Sequence, residues 1–108
     1  MAFSIQVTDL AIDDIEEAVT YIARDSLRVA AKWKDGLEQI VLSLNELPYR
    51  FPLIPESSSF EREYRHIIYF SHRIVYRIDE DSQTVYIVRV YHGARRPLSI
   101  HDLDDTTL

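Results

Sequence analysis

Cysteine is absent from the chain, which excludes disulfides and thiolate metal sites and fits a reducing compartment. Glycine occurs only at Gly36 and Gly93, so no glycine-rich loop is available to cradle a phosphate. Lysine is as scarce, with Lys32 and Lys34 alone. No apolar run approaches the length that spans a bilayer, and the opening residues MAFSIQVTDLAIDD turn acidic where a secretory leader would be basic and then apolar. These absences set the expectation of a soluble, cytoplasmic protein with no membrane partner. With 108 residues the chain has room for one domain, expected over residues 1–100, followed by an acidic polar tail at 101–108.

The formal net charge of -6 argues against a generic nucleic-acid binder, whose affinity for phosphate comes mainly from lysine and arginine. The charge is unevenly distributed. Residues 1–50 hold nine acids against five bases, whereas residues 51–100 hold seven arginines, no lysine and six acids. A locally basic segment therefore belongs to an acidic body.

That segment is the best patterned part of the chain. YRHIIYF and RIVYRID flank Ser71 and His72, and TVYIVRVYH follows the polar break from Glu80 to Gln83. Runs rich in Ile, Val, Tyr and Phe, joined this closely, read as a three-stranded antiparallel meander. Strand parity then sorts the side chains by face. Arg73, Val75 and Arg77 oppose Ile74, Tyr76 and Ile78, while Val85, Ile87, Arg89 and Tyr91 oppose Tyr86, Val88 and Val90. Turning the arginines outward gathers Arg65, Arg73, Arg77 and Arg89 on one face with Tyr69 and Tyr91, and parity sends His66 and His92 toward the other.

Upstream, FSIQV alternates as a short strand with Phe3, Ile5 and Val7 inward. Thr8 or Asp9 then caps a helix reaching about Arg24, whose buried stripe is Ala11, Ile15, Ala18, Val19 and Ile22. Its acids Asp13, Glu16 and Glu17 read as a solvated face. Ser26 caps a second helix with Ala30, Trp33, Leu37, Ile40, Leu44 and Leu47 inward, ended by Pro48. So short a connection makes the helices an antiparallel hairpin. From Pro48 to Glu61 the chain has three prolines and the triplet Ser57 to Ser59, a length without regular structure that is often functional or mobile. Phe51, Leu53 and Ile54 are expected against the body. The fold class is thus α+β: an N-terminal strand, a helical hairpin and a three-stranded meander packed on it.

In this order the residues resemble the RelE/ParE superfamily of toxins from type II toxin-antitoxin pairs, on the ParE side associated with plasmid stabilisation. The resemblance rests on Ala11, Asp14, Ile15, Ala18, Tyr21 and Ile22 in the first helix, on Leu44, Leu47 and Pro48, and on Arg65 with Ile67. It also rests on the run from Arg73 to Ile78 and on Arg89-Val90 followed by His92-Gly93-Ala94-Arg95. It covers roughly Phe3 to Pro97. It implies a sheet whose open side is the working surface and a cognate antitoxin as partner; with no ordered set of oxygen ligands and no glycine-rich loop, no cofactor or metal is expected.

Two actions follow from the resemblance. ParE-like members act on DNA gyrase without cutting nucleic acid. Ribosome-dependent members cut messenger RNA, which here would assign phosphate binding to Arg65 and Arg73 and proton transfer to His92 in a metal-independent endoribonuclease. Nucleases of that kind carry lysines on the first strand of the meander, and both lysines here belong to the second helix. The acidic balance and the ending His92 to Arg95 favour the gyrase reading, with Arg65, Tyr69, Arg73, Arg77, Arg89, Tyr91 and Arg95 expected to bind the target or the antitoxin. The mRNA nuclease, and a degenerate member that only binds an antitoxin, stay open as alternatives.

Overall fold

The computed structural model describes residues 2–93 and 102–103; Arg95, and residues 101 and 104–108 of the tail, lie outside the described residues. Strand β1 (Ser4–Val7) leads into helix α1 (Asp9–Ala23) and helix α2 (Leu27–Leu42), after which come β2 (Arg65–Tyr69), β3 (His72–Asp79) and β4 (Thr84–His92). Both helix starts are written locally. Thr8 Oγ1 accepts the Ala11 N–H at 3.3 Å and Ser26 Oγ accepts the Val29 N–H at 3.2 Å, contacts that stabilise such helices by about 1 kcal/mol each.

Helix α2 stops sooner than its hydrophobic spacing predicts. It tightens into a 3-10 turn at Ser43–Asn45, where Ser43 Oγ donates back to the Ile40 carbonyl at 2.6 Å and the Arg50 guanidinium takes the Glu46 carbonyl at 2.7 Å. Leu44 stays fully buried, but Leu47, expected inward, is 76% exposed. The proline after it disfavours the right-handed helical region, and Leu47 adopts φ 50 instead.

The sheet order is β1-β4-β3-β2. The meander is as expected, and β1 completes the sheet by pairing parallel to β4. The main core lies between this sheet and the helices. Ala11, Ala18, Trp33, Leu37, Val41 and Leu44 meet Ile67, Tyr69, Ile74, Tyr76, Val85, Ile87 and Val90. A smaller cluster of Ile54, Tyr64, Val75, Val88, Tyr91 and Leu103 occupies the opposite side of the sheet. That side is therefore not bare. The segment between α2 and β2 crosses it, and Leu103 adds to the cover.

Two features of register decide which side chains share a face. The two-residue turn Phe70-Ser71 sets Tyr69 opposite His72 and Arg65 opposite Tyr76, so Arg65, Ile67 and Tyr69 point to the helices. In the β3/β4 pair the register shifts between Val75 and Tyr76, whose partners are Arg89 and Ile87. Val88 is the extra residue of this bulge. It returns Val85 and Ile87 to the helix side while leaving Arg89 and Tyr91 outward.

Candidate functional site

The expected face of four arginines and two tyrosines is divided by this register. Arg73, Arg77, Arg89 and Tyr91 lie on the outward side, and Arg65 and Tyr69 on the helix side. His66, expected inward, is outward for the same reason. His92 pairs with His72 and keeps its expected parity.

Each of these four arginines is engaged within the chain. Arg73 grips Glu56 with both terminal nitrogens, at 3.0 and 2.8 Å, and its Nε donates to His66 Nδ1 at 3.1 Å. Arg89 holds Asp14 at 2.7 and 2.9 Å and also donates to the Asp102 carbonyl at 2.7 Å. The bond to Asp14, reinforced by its charge, raises the Arg89 pKa further above an already high value. Arg77 lies 4.4 Å over the Tyr86 ring. Arg65 donates to the Tyr49 and Phe51 carbonyls at 3.3 and 2.6 Å, under the Tyr49 ring whose hydroxyl donates to Glu80. That bond to Glu80 is the main reason the Tyr49 pKa is pushed up to about 12.

Arg65, Arg73 and His92 do not converge. Arg73 is on the opposite face from the other two. Arg65 sits beside Tyr76 and His92 beside His72, four residues apart on β3, which is about 13 Å along a strand. The His66 imidazole accepts the Arg73 Nε–H, and burial, reinforced by the Arg73 cation, lowers its pKa below the ordinary 6.5.

A broad concavity lies elsewhere, where the helical hairpin meets the β2-β3 turn and the end of β4. It is a groove of about 1050 Å³ lined by Ala18, Tyr21, Val29, Trp33, Phe70 and His92, with Glu16, Glu17, Arg24 and Lys32 also in its lining. Tyr21 is 69% exposed, Val29 53% and Phe70 78%. At its floor the His72 ring meets Trp33 at 5.2 Å and His92 at 5.1 Å. Phe70 occupies φ 51, a region that costs an aromatic residue energy and that glycine or asparagine enters readily. A turn that holds an exposed ring under strain makes this rim a candidate site.

Sequence reasoning missed the groove and the two carboxylates that engage the outward arginines. Asp14 appears there only as a helix residue and Glu56 only as part of an irregular stretch. A polar carboxylate close to an alanine stripe was a usable signal for Asp14; nothing local singles out Glu56.

Comparison with known proteins agrees with this architecture. Residues 5–97 match the family model described as the ParE toxin of type II toxin-antitoxin system, parDE. No curated protein sequence matches the chain. Among solved structures, the chain is similar to one in the RelBE2 toxin-antitoxin complex from Mycobacterium tuberculosis, with 23% identity and a TM-score of 0.58 over 88% of this chain and 95% of that one. It is also similar to one in the archaeal RelE-RelB complex from Pyrococcus horikoshii OT3, with 12% identity and a TM-score of 0.51 over 89% and 100% of the two chains. At these identities the likeness is one of fold.

Proposed function

Because this chain belongs to the ParE toxin family of type II toxin-antitoxin systems, we propose that it acts in the bacterial cytoplasm as a growth-inhibiting toxin that binds and poisons DNA gyrase. The observation that carries the choice of a binding action is the dispersal of Arg65, Arg73 and His92 over two faces and two ends of the sheet. Cutting RNA through its 2'-hydroxyl needs a base, an acid and cations around one phosphate. Here the outward arginines Arg73 and Arg89 are already neutralised by Glu56 and Asp14.

A cognate antitoxin holds the toxin inactive in this reading. The similar folds above come from toxin-antitoxin complexes, and the groove bounded by Tyr21, Val29, Trp33 and Phe70 offers an apolar seat for an antitoxin segment. Apolar contact then supplies most of the affinity, with acidic antitoxin residues secondary because the arginines have carboxylates already.

The experiment adds purified toxin to a gyrase supercoiling reaction and, in parallel, to translating ribosomes. Supercoiling is expected to stop while messages stay whole. Messages cut within codons, with gyrase untouched, replace this reading by the nuclease, and inactivity in both leaves only antitoxin binding.

A further inference from the structure

The segment between α2 and β2 is tied down at its ends. The His66 N–H donates to the Pro52 carbonyl at 3.1 Å, the Ile54 N–H to the Tyr64 carbonyl at 2.9 Å, and Leu53 bridges Arg65. Ile54, Phe60 and Tyr64 sit on Val75, Val88 and Tyr91. The stretch thus forms a strap across the outward side of the sheet. Its middle is gripped through Glu56, which receives both terminal nitrogens of Arg73.

The third bond of that guanidinium sets a condition. Arg73 Nε is a donor at any working pH, so His66 Nδ1 can receive it at 3.1 Å only while that nitrogen keeps its lone pair. The imidazole must then be neutral with its proton on Nε2. A second proton, on Nδ1, would turn the acceptor into a donor and set one cation against another.

We propose that Glu56, Arg73 and His66 form a proton-operated latch, in which neutral His66 orients Arg73 to grip Glu56 and a proton on His66 lets the strap lift from Val75, Val88 and Tyr91. Among the described residues, the charged groups that bear on His66 are Arg73 from β3, which opposes the proton, and Glu56 from the strap, which favours it; its cross-strand neighbour Val75 adds no charge. Burial and Arg73 outweigh Glu56. The latch is therefore closed at neutral pH and opens in mild acid. Opening exposes an apolar floor and frees Arg73 for a carboxylate of another molecule. This inference goes beyond the toxin reading and does not rest on it.

A chain without cysteine suits the test. A dye is attached at Ser58→Cys, on the exposed middle of the strap, and its fluorescence anisotropy is followed from about pH 8 to 5.5, where ordinary carboxylates stay ionised. Far-ultraviolet circular dichroism reports the fold. The anisotropy is expected to drop as the pH falls below the ordinary histidine value, with the circular dichroism unchanged. His66→Asn keeps an amide oxygen near the Nδ1 position and takes no proton, so it should abolish the step and stay held. Glu56→Gln should be loose already at pH 8. A wild-type strap with no step, a step unchanged in His66→Asn, or a Glu56→Gln strap as tightly held as wild type would overturn the latch.

Discussion

Arg89 and Asp14 meet as a two-pronged pair, Nε to Oδ2 at 2.7 Å and a terminal nitrogen to Oδ1 at 2.9 Å, and so tie the last strand to the first helix. Asp14 does a second job. Strand β1 ends its pairing with β4 at Ile87, and beyond that point the Asp14 carboxylate accepts the Val90 N–H at 2.9 Å in place of a neighbouring strand. Both side chains are only 13% exposed. Asp14→Ala would leave a guanidinium and an amide short of partners in a partly dry site, at an expected cost of about 3 kcal/mol in urea unfolding. A loss below about 1 kcal/mol would mean that the pair behaves like an exposed one.

Gly36 provides the second test. A β-carbon there would collide with the Tyr69 hydroxyl, which donates to the Trp33 carbonyl at 2.8 Å. Gly36→Ala gains helix propensity but must shift a buried ring, and overpacking of this kind costs about 1 to 3 kcal/mol. Since the clash is with the hydroxyl oxygen, Tyr69→Phe should recover part of the loss in the double variant. Strictly additive effects in thermal melts would show that the glycine is not there to admit that hydroxyl.

The parts of this architecture that depend on near neighbours were legible in the sequence. Thr8 and Ser26 cap the helices because capping needs only the next three residues, and the stripes from Ala11 to Ile22 and from Ala30 to Leu44 follow the helical period. Strand parity also placed Arg73, Arg77 and Tyr91 correctly. It failed wherever one extra residue or one turn resets the count. Val88 bulges from β4 and sends Val85 and Ile87 inward while Arg89 stays outward. Arg65, His66 and Tyr69 were misplaced because the Phe70-Ser71 turn fixes the phase of β2 relative to β3. A two-residue turn was the available signal, weakened because a strained phenylalanine stands where glycine or asparagine usually marks it. The pairing of β1 with β4, the Asp14 and Glu56 contacts and the strap cover all join segments distant in sequence. No local pattern encodes them.

Phe70 gives the third prediction. Its φ of 51 and 78% exposure mean that the folded chain loses little packing and sheds strain if glycine replaces it. Phe70→Gly should therefore raise stability or leave it within about 1 kcal/mol of wild type, against the usual penalty for glycine. The same change removes a wall of the groove, and capture of the antitoxin should weaken by roughly tenfold or more, as expected when an exposed aromatic anchor is lost. Calorimetry of the two proteins measures both effects. A destabilised variant with unchanged affinity would show that the ring serves the fold and not the partner.

Tyr76 makes an alkaline window visible. Its side chain is fully buried and its hydroxyl donates to the Pro48 carbonyl at 2.7 Å. Burial pushes its pKa up to about 12, only partly offset by the Arg65 and Arg50 cations. In the unfolded chain the phenol returns to about 10. A raised pKa on an acid means that the folded state resists losing the proton, so this contribution is whole below about pH 10 and disappears as the pH rises toward about 12. It amounts to about 3 kcal/mol at most. Tyr76→Phe cannot ionise and has given up only a hydrogen bond, so at pH 8 it should be less stable than wild type by about 1 kcal/mol. Between pH 10 and 12 wild type should lose ground to it until the order reverses. Tyr49 is also pushed to about 12, but it is present in both proteins and cancels in the difference. Urea unfolding at intervals across this range decides the matter, and a gap between the two proteins that stays constant with pH would show that the buried hydroxyl does not hold its proton as its surroundings require.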